Sequence, residues 1–324
     1  MILTVTANAS IDKRYVMTSM ECGEVNRVSE CEMSAGGKGL NVAHAVHAAG
    51  EDVMATGFLG GHHGQFIRER LLEEGIGEDF VWCKGETRSC INIWNEEKKE
   101  QTELLEPGLT VTSEDISNLI SKFRDLAKKA DVIAISGSLP KGADASLYRE
   151  MSAVAKSLKK KVILDTSGKT LIECVNLTED ASELPYMIKP NIDEIRQLTG
   201  ISVDPSNHED IFSAALSLRK KGIEVVVVSL GSEGSLMVCP DGCFEISVPV
   251  IDAVNTVGCG DALTGGFAVG LMKGLSFEEC IRFASSVSTA SAMTEKTGFF
   301  FLEDMKKIYK GIEVKRVVNT EEKR

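Results

Sequence analysis

Glu224-Val225-Val226-Val227-Val228-Ser229-Leu230 is the stretch whose reading decides the fold. Four consecutive β-branched apolar residues without alternation fit a central strand buried on both faces, as in a parallel sheet covered by helices. Working outward, short β-branched runs alternate with longer helical stretches. Asp131 to Ser136, Val162 to Asp165 and Met187 to Pro190 read as strands, with helices over Ala145 to Lys160, Ile192 to Gly200 and Phe212 to Lys221. Two further helices are expected at about 260–273 and 276–294, and Met1 to Ala7 opens the chain as a strand. This alternation predicts an α/β fold, a mostly parallel central sheet with helices on both faces. Lys13 to Met33 and Glu86 to Glu106 are instead polar, strand-like and rich in turns, and predict a small β lid in two passes, about 13–33 and 86–106. The expectation is one domain over 1–318 with a frayed tail at 319–324.

Bulk properties exclude several function classes. The 36 Lys and Arg against 48 Asp and Glu leave a formal charge of -12, with no basic tract for nucleic acid or an anionic membrane. No basic leader followed by an apolar core and no apolar run of about 18 residues is present, so a cytoplasmic protein is expected. Nine cysteines, an odd number without paired CxxC spacing, read as reduced thiols, and Cys239 and Cys243 flank a hairpin turn at Pro240-Asp241-Gly242.

Chemistry concentrates in three segments. Asn255-Thr256-Val257-Gly258-Cys259-Gly260-Asp261-Ala262-Leu263-Thr264-Gly265-Gly266 is a glycine turn running into an apolar helix. Gly258 and Gly260 let a ligand approach the backbone, the helix start offers N–H groups to a phosphate, and Asp261 stands where a carboxylate can accept a hydroxyl proton. The same residues also suit a tight turn whose acid complements the helix dipole. Ala35-Gly36-Gly37-Lys38-Gly39-Leu40-Asn41 repeats the arrangement, with Asn41 able to bond sugar hydroxyls and Lys38 a phosphate, or with the lysine simply in solvent. Lys189-Pro190-Asn191-Ile192-Asp193-Glu194 is an N-cap with a capping-box glutamate, or a site where Glu194 orients magnesium-bound water. Ser167-Gly168-Lys169-Thr170 imitates a Walker A ending but lacks the glycine at 163, where Ile163 stands, and reads as a surface loop. No strand leads into a full GxGxxG, so no dinucleotide fingerprint is present.

The motifs at 35–43 and 255–266, in this order and with an NxxE between them, resemble the two signatures of the PfkB (ribokinase-like) carbohydrate kinases. Val25-Asn26-Arg27-Val28, Thr87-Arg88 and Ser136-Gly137-Ser138-Leu139-Pro140-Lys141-Gly142 are most similar to the group of tagatose-6-phosphate and fructose-1-phosphate kinases. The resemblance implies a ribokinase-like fold and transfer of the γ-phosphate of MgATP to a ketohexose monophosphate, tagatose 6-phosphate ahead of fructose 1-phosphate. It implies Asp261 as catalytic base, Gly258, Cys259 and Gly260 as the anion hole, and Lys38 as a cation at the phosphate. Asp12, Gly37, Asn41, Arg88 and Ser138 are implied at the sugar phosphate. Lys189, Asn191, Glu194, Ser229 and Gly231 are implied on the nucleotide side, with Asn191 and Glu194 meeting Mg2+ through water. A monovalent cation and a homodimer packed through the lids are further implications. Arg88 discriminates best among substrates, because its planar fork suits a phosphate while a neutral sugar leaves the charge unpaired. Ala9 replaces the group's usual proline, and Cys259 occupies an anion-hole position normally held by an unreactive residue. A thiol at a helix start is expected to be acidic and alkylated readily, with ATP protecting it. A non-catalytic sugar-phosphate sensor is the rival from another class.

Overall fold

The computed structural model describes residues 1–178 and 180–317, and the tail expected to fray at 319–324 lies outside them. The chain opens with β1 (Ile2–Thr6), then enters the lid through β2 (Ser10–Met17) and β3 (Glu30–Gly36). It returns through α1 (Lys38–Ala48), β4 (Val53–Leu59), α2 (Gly61–Glu73) and the short β5 (Gly77–Glu78) and β6 (Val81–Trp82). A second pass builds β7 (Arg88–Asn95) and β8 (Glu100–Leu105). Alternation follows in α3 (Ser113–Lys129), β9 (Val132–Ser136), α4 (Ser146–Ser157), β10 (Lys161–Asp165), α5 (Gly168–Asn176) and β11 (Met187–Ile188). Next come α6 (Ile192–Thr199), α7 (His208–Lys220), β12 (Val225–Ser229), β13 (Ser235–Cys239) and β14 (Gly242–Ser247). The described chain ends with α8 (Cys259–Met272), α9 (Phe277–Ser291), α10 (Leu302–Tyr309) and β15 (Glu313–Val317).

The large sheet runs β15-β14-β13-β12-β11-β10-β9-β1-β4-β5, with β6 also on β4. It is parallel from β12 to β5 and antiparallel from β12 to β15. The valine run is β12, with Val225 to Val228 all fully buried, as a strand covered on both faces requires. One apolar layer packs α3 to α7 against the sheet and the other packs α1, α8, α9 and α10. The lid is a separate four-stranded sheet, β3-β2-β7-β8, whose two passes meet where β2 pairs in parallel with β7. It starts at Ser10 and ends at Leu105, so it includes Asp12, just outside the predicted span.

Helix α8 is buried along almost its whole length because small residues let its neighbours close in. A Cβ at Gly266 would lie 2.7 Å from Ala284 Cα of α9, and one at Gly265 would lie 3.0 Å from Ala45 Cβ of α1. The glycines thereby wedge α8 between two helices and fix its N-terminus against the sheet.

Ser167-Gly168-Lys169-Thr170 differs from the expected loop. It opens α5, and Lys169 is solvent-facing, 3.4 Å from Glu173 one turn on. Cys239 and Cys243 bracket the β13–β14 hairpin as predicted. No disulfide joins cysteines among the described residues, and Cys22 and Cys31 are exposed.

Candidate active site

Parallel strands present their C-terminal ends on one side of the sheet, where open α/β sheets hold ligands. β9 ends at Ser136, β10 at Asp165 and β12 at Ser229, and Lys189 follows β11 directly. The N-termini of α1 and α8 come to the same edge. Neither carries a side-chain cap, whereas α3, α6 and α9 have complete capping boxes. The first amides of a helix lack intrahelical acceptors, so the starts of α1 and α8 keep donors for an anion. Gly258, the residue before α8, has φ +78, and a Cβ there would stand 2.3 Å from Thr297 Cγ2. Only glycine fits both the backbone and the space.

Asp261 is 5% exposed and accepts a 2.8 Å hydrogen bond at Oδ2 from Asn41 Nδ2, which joins the two glycine motifs. Burial is the main cause that lifts its carboxyl well above the usual carboxylate range, and the neighbouring Asp165 charge adds to it. Lys38, Asn41 and Lys189 oppose the rise. Lys38 Nζ is 3.9 Å from Asp165 Oδ1 and Lys189 Nζ is 3.6 Å from Asp165 Oδ2. Asp165, Asp261 and Glu194 raise the Lys38 ammonium, with Asp165 the largest influence, so it stays charged. A Cβ at Gly260 would lie 2.9 Å from Lys189 Nζ, so that ammonium rests against the turn that starts α8.

The lid contributes a second cluster. Asp12 on β2 accepts a 2.7 Å hydrogen bond from Ser10 Oγ, and burial raises its carboxyl against the opposing influence of Arg88. A Cβ at Gly36 would overlap the Asp12 carboxylate, so the first glycine of that cluster makes room for the acid. Arg88 at the start of β7 donates from Nη2 to Asn8 O at 3.1 Å and from Nη1 to Glu106 O at 3.1 Å. Among the described residues no carboxylate lies within 4.0 Å of it, and its charge is braced by carbonyl dipoles and, at longer range, by the Asp12 carboxylate. Asn8 Nδ2 donates to Ser138 Oγ at 3.2 Å, tying the loop after β9 to the same corner.

Most of the predicted residues gather in these two clusters. Asn191 and Glu194 form a reciprocal cap: Asn191 N donates to Glu194 Oε2 at 2.9 Å and Glu194 N to Asn191 Oδ1 at 2.8 Å. The bridge between Asn191 and Ser229 holds that cap beside the end of β12, where exposed Gly231 opens the following turn with φ +63. Cys259 is a correction. Burial and the Asp261 charge push its thiol up to about 11, the reverse of the acidic thiol expected at a helix start. Desolvation outweighs the helix dipole there, and rapid alkylation is no longer expected. Three residues were missed: Asp165, Asn8 and Thr264. An acid at the last position of a strand, Val162-Ile163-Leu164-Asp165, was the available signal for Asp165. Asn8 and Thr264 carried none.

Tagatose-6-phosphate kinases from two strains of Staphylococcus epidermidis are 39% and 38% identical over 314 residues, covering 97% of this chain and 99% of each relative. Phosphofructokinase-2 from Escherichia coli, solved with potassium, superposes with a TM-score of 0.88 at 26% identity, over 96% of this chain and 98% of that one. A possible 1-phosphofructokinase from Thermotoga maritima gives 0.87 at 28% identity, over 98% and 99%. The fold is therefore the ribokinase-like one. With residues 5–304 matching the pfkB family carbohydrate kinases, and both glycine motifs meeting at one carboxylate, this chain belongs to that family.

Proposed function

We propose that the protein transfers the γ-phosphoryl group of ATP to the free primary hydroxyl of a ketohexose monophosphate, converting tagatose 6-phosphate to tagatose 1,6-bisphosphate. Asp261 carries the reading: a buried carboxylate with a raised proton affinity, at an uncapped helix start, held by an asparagine from the other glycine motif. It takes the hydroxyl proton as the sugar oxygen bonds to the γ-phosphorus and the bond to the departing ADP oxygen breaks. The N–H groups of Gly258, Cys259 and Gly260, with Lys38 and Lys189, meet the charge of the moving phosphoryl group. Asp12, Gly37, Asn41 and Ser138 hold the sugar, and Arg88 takes its phosphate. Lys189, Asn191, Glu194, Ser229, Gly231, Gly258 and Gly260 form the nucleotide side.

The donor set fits magnesium held through water. Glu194 has one carboxylate oxygen committed to its cap and the other left over, and it acts on Lys38 across the site. Magnesium bound with ATP supplies charge neutralisation at the phosphates. A sensor needs none of this, since a proton-accepting carboxylate beside anion donors serves turnover rather than binding.

The test is ADP release with MgATP against tagatose 6-phosphate, fructose 1-phosphate, fructose 6-phosphate, ribose and fructose. Tagatose 6-phosphate is expected to give the highest kcat/KM. Preference for fructose 1-phosphate moves the chain to the neighbouring branch, and a folded protein that binds ATP yet turns over nothing supports the sensor.

The same reading extends to assembly. Residues 1–318 act as one kinase unit whose lid pairs with that of a second copy. Met33 and Leu104, 49% and 51% exposed, stand on the lid face opposite Asp12 by strand alternation. Sedimentation equilibrium is expected to give a dimer that Met33→Glu with Leu104→Glu dissociates. A monomeric parent protein would refute this arrangement.

A further inference from the structure

Asp165 ends β10 with its side chain 4% exposed, and both lysine partners stand off, at 3.9 and 3.6 Å. Charge-assisted N–H···O bonds run at about 2.7–2.9 Å, so neither ammonium fixes this carboxylate in place. The hydroxyl of Thr264, fully buried on α8, does reach it, with Oγ1 3.2 Å from Oδ2. Oγ1 also lies 3.1 Å from the Gly260 carbonyl, giving one proton and two acceptors. That carbonyl is already served by the helical amide four residues on, and an anionic carboxylate is the stronger acceptor. The proton therefore goes to Asp165.

Thr264 lies three residues after Asp261, almost one turn along the same helix, so a single rigid element carries both Asp261 and the donor to the second carboxylate. Its branched Cβ restricts the rotamers that could carry the hydroxyl away. The charged groups around Asp165 come from different elements: Lys38 on α1, Lys189 after β11 and Asp261 on α8, with Glu194 on α6 acting on Lys38. Two ammonium groups facing one phosphate repel each other, and the charge between them holds them together only while it stays in place.

We infer that Thr264 is a positioning residue for phosphoryl transfer, whose hydroxyl seats Asp165 and, through it, Lys38 and Lys189, without touching either substrate. The inference rests on the kinase reading above. It is tested by steady-state kinetics of Thr264→Val, Thr264→Ser, Asp165→Asn and the Val/Asn double variant, with a crystal structure of Thr264→Val.

Losing one hydrogen bond to a buried charge is expected to lower kcat of T264V by about 10-fold or more, with both KM values within about 2-fold of the parent protein. T264S, which keeps the hydroxyl, is expected to recover most of the rate. The double variant is expected to be no slower than D165N alone, as for two residues acting through one contact. In crystals of T264V the Asp165 carboxylate is expected to leave its seat. Wild-type kcat in T264V, equal losses in T264S and T264V, or losses that multiply in the double variant would each overturn the inference. If the valine variant does not fold, Thr264→Cys, a weaker donor of similar size, is expected to fall between serine and Asp165→Asn, and a rate equal to wild type overturns the inference. A parent protein inert towards every phosphosugar sinks the kinase reading alone. The crystallographic comparison uses no turnover, and an Asp165 conformer unchanged in T264V, or in T264C, would still refute the role of Thr264.

Discussion

Asp261→Asn is expected to lower kcat by about 10²–10⁴-fold, the range contributed by a positioned general base, with KM for MgATP nearly unchanged. The amide is close in size to the acid and can keep an Asn41 contact, so thermal stability should hold. Burial of a carboxylate that Lys38, Lys189 and Asn41 compensate only in part costs the native state, and asparagine removes that cost. The measurement is ADP release with MgATP and the preferred phosphosugar from the panel. A variant that keeps more than roughly a tenth of parental kcat would show that the proton goes elsewhere, since a general base contributes at least about two orders of magnitude.

The parent protein should show a matching pH dependence. The base works only when ionised, and its carboxyl is raised by burial and by Asp165. Rate should therefore fall as pH drops through that raised value, placing the acid limb of kcat above the ordinary carboxylate range. A limb near pH 4, the ordinary range for a solvated carboxyl, would contradict the proposed role.

Arg88→Met is expected to raise KM for the phosphosugar by about 10²-fold while KM for MgATP stays put. A planar guanidinium makes two charge-assisted bonds to a phosphate, each of about 1.5–3 kcal/mol, and part of that survives through the remaining contacts. Asn8 and Glu106 hold the guanidinium by their carbonyls, so the fork is oriented before substrate arrives and little ordering cost opposes its use. Arg88→Lys should recover only part of the loss, because a point charge cannot reproduce the fork or reach both carbonyls. If Arg88→Met left KM for the phosphosugar unchanged, or weakened ribose and the phosphosugar alike, the arginine would be a strut of the lid and not a phosphate ligand.

The places where sequence reasoning worked have a common physical basis. Gly36, Gly258 and Gly260 announce close approach, and each one does make room: for the Asp12 carboxylate, the Thr297 methyl and the Lys189 ammonium. The valine run of β12 announces burial on both faces, since four adjacent apolar side chains on a strand must point to both. Asn191 and Glu194 form the cap that their spacing of three predicts.

Its failures have different causes. Cys259 was read from its place on the helix, where the dipole lowers a thiol's pKa. Its proton affinity is instead decided by burial and by the Asp261 charge, and burial is a property of the packed neighbours. The Ser167–Thr170 stretch fails as a phosphate loop yet opens α5, with Ser167 at the N-cap position making no side-chain cap and Gly168 at φ +57.

The chain's own residues determined the α/β alternation, the two glycine turns, the acid at the head of α8 and the family to which they belong, because those features depend on local backbone freedom and short periods. Tertiary structure alone decided that Asn41 would hold Asp261 from 220 positions away, that Asp165 would stand between Lys38 and Lys189, and that Thr264 would reach Asp165 across 99 positions. Such contacts are set by how strands order in the sheet and how closely α8 docks against it, and neither distance is written in the spacing of the residues that meet.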